Sequence, residues 1–153
     1  MTRILFVCLG NICRSPTLEA VARVEFARAG LAAELDSAGT ADYHVGQPPD
    51  PRSISIAAAH GYDLAPLRAR QIIAADFTRF DHILAADRAN LRDLRALRPG
   101  RGTVPALFLG DAEVPDPYYG DAVDFERVIE LARRGMADLI ANLRGDHNAA
   151  GRA

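Results

Sequence analysis

The chain is predicted to be an α/β protein: a single three-layer domain with a four-stranded parallel twisted sheet and helices on both faces. Three observations predict this. Short apolar runs alternate with stretches of three- and four-residue periodicity, the pattern that lays helices across a parallel sheet. The first run, residues 3–8, is continuously apolar in its centre, as a strand buried on both faces must be. At 153 residues the chain is long enough to bury a core and has the size of one domain.

The elements follow in order. After the strand at 3–8, Ser15 reads as a helix N-cap with Pro16 in the first turn, where a missing N–H costs nothing. Ala20, Val21, Val24, Ala27 and Leu31 then recur at helical spacing up to Gly30 and just beyond. A second strand is predicted over 33–38, ending at Gly39, and a long loop over 40–51. Asp50-Pro51 reads as a second N-cap and first turn, opening a helix through Ile54, Ala57 and Ala58 that stops near Gly61. Residues 62–79 carry no clear period. Ile83 and Leu84 mark a third strand, and Asp87 caps a helix carrying Leu91, Leu94 and Leu97. Residues 103–108 are expected to form a fourth strand, which Pro105 confines to the sheet edge. The last helix has the clearest stripe: Phe125, Val128, Ile129, Ala132, Met136, Leu139, Ile140 and Leu143, with Gly145 after its final turn. The domain is thus expected to span 1–145, with 146–153 a frayed tail.

Composition narrows the function classes. The hydrophobic share of 49% and charged share of 25% are ordinary for a globular protein, and a net charge of −2 without any basic tract argues against nucleic acid as a partner. The N-terminal stretch shows neither a secretory leader nor a membrane span, so a cytoplasmic protein with no membrane partner is expected. Thiols are reduced in that compartment. The two cysteines, Cys8 and Cys13, lie too close in sequence to tie distant segments, and the four histidines are too dispersed to complete a zinc site. No metal or cofactor is expected. A reversible Cys8–Cys13 bridge under oxidation is a separate expectation.

The chemistry is concentrated in Cys8-Leu9-Gly10-Asn11-Ile12-Cys13-Arg14-Ser15, which joins the first strand to the first helix. Such a loop points backbone N–H groups inward in front of a helix N-terminus, making an anion site. Arg14 adds a guanidinium fork that fits two phosphate oxygens. Gly10 is expected to permit a backbone shape that lets successive amides face one anion. Cys8, a thiol at the mouth of this site, is the candidate nucleophile. Ser15 either caps the helix, or donates to the Cys8 sulfur, or both. Asn11 is expected to bond the loop backbone and fix its shape. Attack on a phosphate ester also needs a proton donor for the leaving oxygen. Asp116, in Val114-Pro115-Asp116-Pro117-Tyr118-Tyr119-Gly120-Asp121, is the best candidate, because Pro117 stiffens the loop and Tyr118 and Tyr119 offer aromatic walls for a ring-bearing ester. Asp111, Glu113, Asp116 and Asp121 do not have the spacing of a calcium loop.

These two segments together resemble the low-molecular-weight protein tyrosine phosphatases. Asp36-Ser37-Ala38-Gly39-Thr40, Tyr43-His44-Val45-Gly46 and Ala69-Arg70-Gln71-Ile72 agree, so the resemblance covers residues 3–143. It implies a four-stranded parallel sheet and a two-step, metal-free reaction. Cys8 would attack phosphorus while Asp116 protonates the tyrosine oxygen. Water would then hydrolyse the cysteinyl-phosphate, with Arg14 and the loop amides from Leu9 to Cys13 holding the equatorial oxygens. It also implies that Ser37 supports the loop through Asn11, that Tyr43 and Tyr118 flank the pocket mouth with Tyr119 beside them, and that Cys13 traps oxidised Cys8. The implied partners are phosphotyrosine-bearing proteins, a bacterial tyrosine kinase among them, with inorganic phosphate or other oxyanions as inhibitors. One position departs from the family: Leu67 stands where a histidine often bonds the loop asparagine, so a less rigidly tied loop is expected. Within the same fold, an arginine phosphatase would favour threonine over Ile12, and an arsenate reductase would need further cysteines after Cys13. A non-catalytic phosphotyrosine-binding module would have no use for Asp116.

Overall fold

The computed structural model describes the backbone of residues 1–152 and the side chains of residues 1–145. Strands β1 (Thr2–Cys8), β2 (Ala33–Gly39), β3 (His82–Ala85) and β4 (Ala106–Leu107) form one sheet in the order β2-β1-β3-β4, every pairing parallel. Helices α1 (Arg14–Arg28), α2 (Pro51–Ala59), α3 (Asp76–Arg79), α4 (Arg88–Leu97) and α5 (Ala122–Arg152) cover it.

The period of two in β1 divides the interior into two layers. Ile4, Phe6 and Cys8 face a core shared with α1, α2 and α5, whereas Leu5 and Val7 face Phe77, Phe80, Leu91 and Leu94 on the other side. Because both faces are covered, Ile4 through Val7 are all fully buried. The chain runs from β1 through α1 to β2 on one side, then returns to β3 on the other. The carboxyl end of β1 is therefore where the strand order reverses, the place at which open α/β sheets hold their ligands.

Two caps agree with the sequence reading. The Asp50 side chain accepts from the Arg52 amide at 2.8 Å with Pro51 at the first helical position, and Asp87 accepts from the Asn90 amide at 2.7 Å. Every member of the α5 stripe is buried or half-buried.

Elsewhere the structure corrects the reading. Ser15 does not cap α1. The helix begins one residue earlier, at Arg14, with Cys13 at the cap position and no side-chain cap bond. The apolar face of α1 is also shifted: Ala27 is exposed, and Leu18, Ala22 and Phe26 are buried in its stead. The first half of α1 is enclosed on all sides, so no single stripe describes it. Ala58 of α2 and Leu97 of α4 face outward. The fourth strand shrinks from 103–108 to Ala106–Leu107 at the sheet edge, since Pro105 has no N–H to contribute. Residues 62–79 supply α3 and a bridge from Gln71 to Gly39. Gly145 does not end α5, which is carried to Arg152. The expected fraying of 146–153 lies outside the residues described with side chains. Among the described residues no helix is long and apolar enough to cross a membrane.

Gly135 of α5 packs tightly against the segment that follows β4. A Cβ there would lie 2.3 Å from Phe108 Cε2 and 2.4 Å from Cζ, and the Phe108 ring is itself packed edge-on against Phe6 at 5.9 Å. Alanine would improve helix propensity by about 1 kcal/mol, but overpacking costs about 1–3 kcal/mol. Gly135→Ala is therefore expected to lower the unfolding free energy in a urea titration, and a gain in stability would show that Phe108 can move aside.

Candidate active site

Between the end of β1 and the start of α1 the chain must reverse within a few residues. It does so through Asn11, whose φ of 58° makes it the one non-glycine residue with positive φ among the described residues. Asparagine tolerates this region better than most side chains. Gly10 was expected to supply the unusual backbone shape, and it does not: its φ is not in the left-handed region. Its small size matters instead, because a Cβ at Gly10 would meet His44 Cδ2 at 2.9 Å.

The Asn11 side chain locks the turn from three directions. Its Oδ1 accepts from the Arg70 amide at 3.0 Å, and its Nδ2 donates to Ser15 Oγ at 2.7 Å and to Ser37 Oγ at 3.0 Å. The absence of a histidine at position 67 thus leaves Asn11 fully engaged, and Leu67 packs against the core instead. Backbone bonds from Thr40 to Cys8, Ala41 to Leu9 and Asp50 to Ile12 hold the outside of the loop.

With the turn fixed, donors converge on the Cys8 sulfur. The Asn11 amide lies at 3.3 Å, the Ser15 amide at 3.5 Å and the Ser15 hydroxyl at 3.0 Å. Ser15, displaced from its expected capping role, is thereby committed to the sulfur and to Asn11. Cys8 is nearly enclosed, yet it lines a cavity of about 310 Å³.

Arg14 enters this cavity from the first turn of α1 with only 3% of its side chain exposed. Its Nη1 donates to Asp87 Oδ2 at 2.6 Å and to the Val114 carbonyl at 3.0 Å, while its Nη2 lies 3.8 Å from Asp116 Oδ2 without a hydrogen bond. One edge of the fork is held by the protein, and the other is left toward the cavity. Burial by itself would lower the guanidinium, but the Cys8 sulfur, the bond to Asp87 and the charge of Asp116 outweigh it and raise it above its ordinary value. Asp116 is half-exposed, and its Oδ1 accepts from the Tyr118 amide at 3.1 Å, the short-range turn that Pro117 stabilises.

Tyr43, Tyr118 and Tyr119 form the rim, with Leu9 and Ile12 completing the apolar wall. The rings of Tyr118 and Tyr119 meet edge to face at 4.9 Å. Arg52 steadies Tyr118 by donating to its carbonyl at 3.0 Å and lying over its ring. Cys13 lines the same cavity, and the two cysteines are unbridged. Burial pushes the Cys13 thiol from 9.0 up to about 12, a rise that a hydrogen bond with Ser53 only partly offsets. Among the described residues no group of three His, Cys, Asp or Glu side chains could hold a metal ion.

All the candidates but Asn11, Ser15 and Ser37 thus line one cavity; the Ser15 hydroxyl and the Asn11 amide reach the Cys8 sulfur from behind the loop, and Ser37 meets the Asn11 side chain. The structure adds four residues that sequence reasoning assigned no role at the site. Asp87 was read as a helix cap, and it also grips Arg14. Arg70 lies in a motif already noted, but only the fold shows its amide on Asn11. His44 sits in the cavity wall beside Gly10 and is hydrogen-bonded to Gln47. Glu19 is buried in α1, where it accepts from Ser37 Oγ at 2.7 Å. A carboxylate set directly among Leu18, Ala20, Val21 and Ala22 was the available signal for this last one.

The sequence profile of the family described as low molecular weight phosphotyrosine protein phosphatase matches residues 3–149. A low molecular weight protein-tyrosine-phosphatase of Streptomyces coelicolor is 44% identical over 154 residues, covering 93% of each chain. The crystal structure of a protein tyrosine phosphatase from Entamoeba histolytica, with Hepes in its active site, superposes with a TM-score of 0.91 at 35% identity, covering 96% of this chain and 99% of its own. A structure described as a Drosophila arginine phosphatase superposes with a TM-score of 0.85 at 29% identity, covering 94% of this chain and 98% of its own.

The raised Cys13 thiol has a measurable signature. Below about pH 9 it is protonated in both folded and unfolded chains. Between there and about 12 only the unfolded chain releases the proton, so stability falls as pH rises through that window. The expected slope from this one group is at most about 1.4 kcal/mol per pH unit. Urea titrations at pH 8 and pH 10.5 should therefore show a smaller alkaline loss for Cys13→Ser than for the parent; equal losses would mean that Cys13 ionises freely in the fold.

Proposed function

We propose, for a chain that belongs to the low molecular weight phosphotyrosine protein phosphatase family, a specific division of labour among its catalytic groups. The overall reaction is that of the family: hydrolysis of phosphotyrosine monoesters through a cysteinyl-phosphate. In the first step the Cys8 sulfur attacks phosphorus. An S–P bond forms as the bond to the tyrosine oxygen breaks, and Asp116 gives its proton to that leaving oxygen. In the second step a water attacks the phosphorus, Asp116 takes its proton, and Cys8 departs as thiolate with the Ser15 hydroxyl donating to it. Arg14 and the inward amides from Leu9 to Cys13 hold the three equatorial oxygens as charge redistributes among them.

What supports this assignment is one convergence. The Cys8 sulfur, the free edge of the Arg14 fork and the Asp116 carboxyl border the same 310 Å³ cavity, with tyrosine rings at its rim. Asp116 is not tied up by Arg14, as Asp87 is, so it stays free to meet a leaving group. The aromatic rim and the apolar Ile12 suit a flat phenolic ester. Within the same reading the physiological substrates are phosphotyrosine-bearing proteins in the cytoplasm, a bacterial tyrosine kinase among them, and inorganic phosphate competes for the loop. Cys13 acts as the redox partner: after a peroxide converts Cys8 to a sulfenic acid, the Cys13 sulfur displaces water to form a disulfide.

Three variants test the division of labour. Cys8→Ser is expected to lose turnover of p-nitrophenyl phosphate while still binding phosphate, and the parent enzyme to show a phosphocysteine by mass spectrometry after an acid quench. Asp116→Ala should slow phenyl phosphate by about 10²–10⁴, and p-nitrophenyl phosphate, with its better leaving group, far less. Equal slowing of both esters would remove Asp116 from the acid role. Arg14→Lys should be nearly inactive, because a point charge cannot replace a bidentate fork; near-normal kcat would contradict the clamp.

A further inference from the structure

One buried carboxylate in α1 is not used by the reaction as assigned. Glu19 is 2% exposed. Its Oε2 accepts from Arg23 Nε at 3.1 Å and Nη2 at 2.6 Å, and Arg23 Nη2 is braced in turn by the Leu35 carbonyl at 3.0 Å. Its other oxygen, Oε1, faces Ser37 Oγ at 2.7 Å.

Donor and acceptor capacities fix the direction of each hydrogen bond beyond this pair. A carboxylate has no proton to give, so Ser37 is the donor to Glu19. Ser37 then meets Asn11 with a lone pair, as its 3.0 Å contact with the Asn11 Nδ2 group requires. Asn11 cannot turn its amide round, because the Arg70 N–H must find an oxygen at the other end. The second Nδ2 hydrogen goes to Ser15 Oγ at 2.7 Å. Ser15 therefore receives from Asn11 and has its own proton to place. The Cys8 sulfur at 3.0 Å is a closer acceptor than the Ala38 carbonyl at 3.4 Å. Arg23, more than half exposed on the outside of α1, is thus joined to the reacting sulfur by an unbroken row of side chains.

From this row we infer that Arg23 is a positioning residue for the phosphatase: by holding the Glu19 carboxylate in place it fixes Ser37, then Asn11, and so keeps the Ser15 hydroxyl donating to the Cys8 sulfur. The inference rests on the assignment of Cys8 as nucleophile. Without the guanidinium, Glu19 is a buried carboxylate lacking its cation, which must reorient or draw in water. Ser37 then loses its fixed acceptor and Asn11 its fixed neighbour. The consequence falls on the sulfur, chiefly when it must leave as thiolate, and not on phosphate oxygens held by Arg14 and the loop amides.

The test is a double-mutant cycle between Arg23→Met and Ser15→Ala, with rates normalised to the cysteine sites titrated by iodoacetate. Arg23→Met alone is expected to lower kcat for p-nitrophenyl phosphate by about five- to tenfold, the scale of one ordinary hydrogen bond lost at the end of the row. KM and inhibition by inorganic phosphate should change by less than about twofold, since the phosphate contacts are untouched. Arg23→Lys should recover most of the loss. In the Ser15→Ala background Arg23→Met should have little further effect, because its route to the sulfur is already cut. Multiplying effects of the two substitutions, or an Arg23→Met kcat equal to that of the parent per titrated site, would overturn the inference. If Arg23→Met folds poorly, the same cycle is run with Arg23→Gln. Alkylation of Cys8 by iodoacetate is followed alongside and requires no turnover. A parent enzyme that never forms phosphocysteine would therefore sink the catalytic assignment, whereas failure of the cycle sinks only the role of Arg23.

Discussion

The turn from β1 into α1 can close over an anion only if Asn11 enters the left-handed region, and much of the surrounding structure serves to hold it there. That conformation costs about 1 kcal/mol for a residue with a Cβ. The three hydrogen bonds to the Asn11 side chain, each contributing about 1 kcal/mol, more than offset it. Glycine would relieve the backbone and forfeit all three bonds. The balance therefore favours an asparagine here, and it draws β2, through Ser37, and the loop at Arg70 into the construction of a site that lies mostly on β1 and α1. Fold and site are joined at this residue, because the same bonds that stabilise the turn aim the Asn11 and Ser15 amides at one sulfur.

Charge around Arg14 is arranged by a similar division. Two carboxylates flank one guanidinium, but they are not equivalent. Asp87 is hydrogen-bonded to it and positions it, whereas Asp116 stands 3.8 Å away on a loop, bonded only to its own turn. A single acid could not both hold the cation and exchange protons with a substrate. Separating the tasks on two loops lets one side chain stay rigid while the other remains accessible to solvent.

Much of this was legible in the sequence, for reasons that differ from element to element. The α5 stripe was read correctly because one face of that helix packs on the core while the other meets water, and period alone then identifies the buried residues. In α1 the same reasoning failed, since its first half is enclosed on every side and carries buried Glu19 and Arg14 among small apolar residues. Asp50 and Asp87 were recognised as caps because capping is local. Ser15 misled for the complementary reason: it has the right residue type for a cap, but a contact with Cys8 seven positions away outcompetes the helix end. The loop residues and Asp116 were recognisable as motifs. The grip of Asp87 on Arg14 spans 73 positions and leaves no local trace, and the role of Gly10 as an absence of bulk beside His44 depends on a neighbour that only the fold supplies.

Asp87 carries one consequence for motion. Its Oδ1 starts α4 at the Asn90 amide while its Oδ2 restrains Arg14. Fraying of the first turn of α4 and loosening of the guanidinium are therefore one event rather than two. An oxyanion that immobilises the arginine should slow solvent exchange of the Asn90 amide proton, which the Asp87 carboxylate alone separates from the guanidinium. A helix terminus on the opposite face of β1 would then report whether the pocket is occupied.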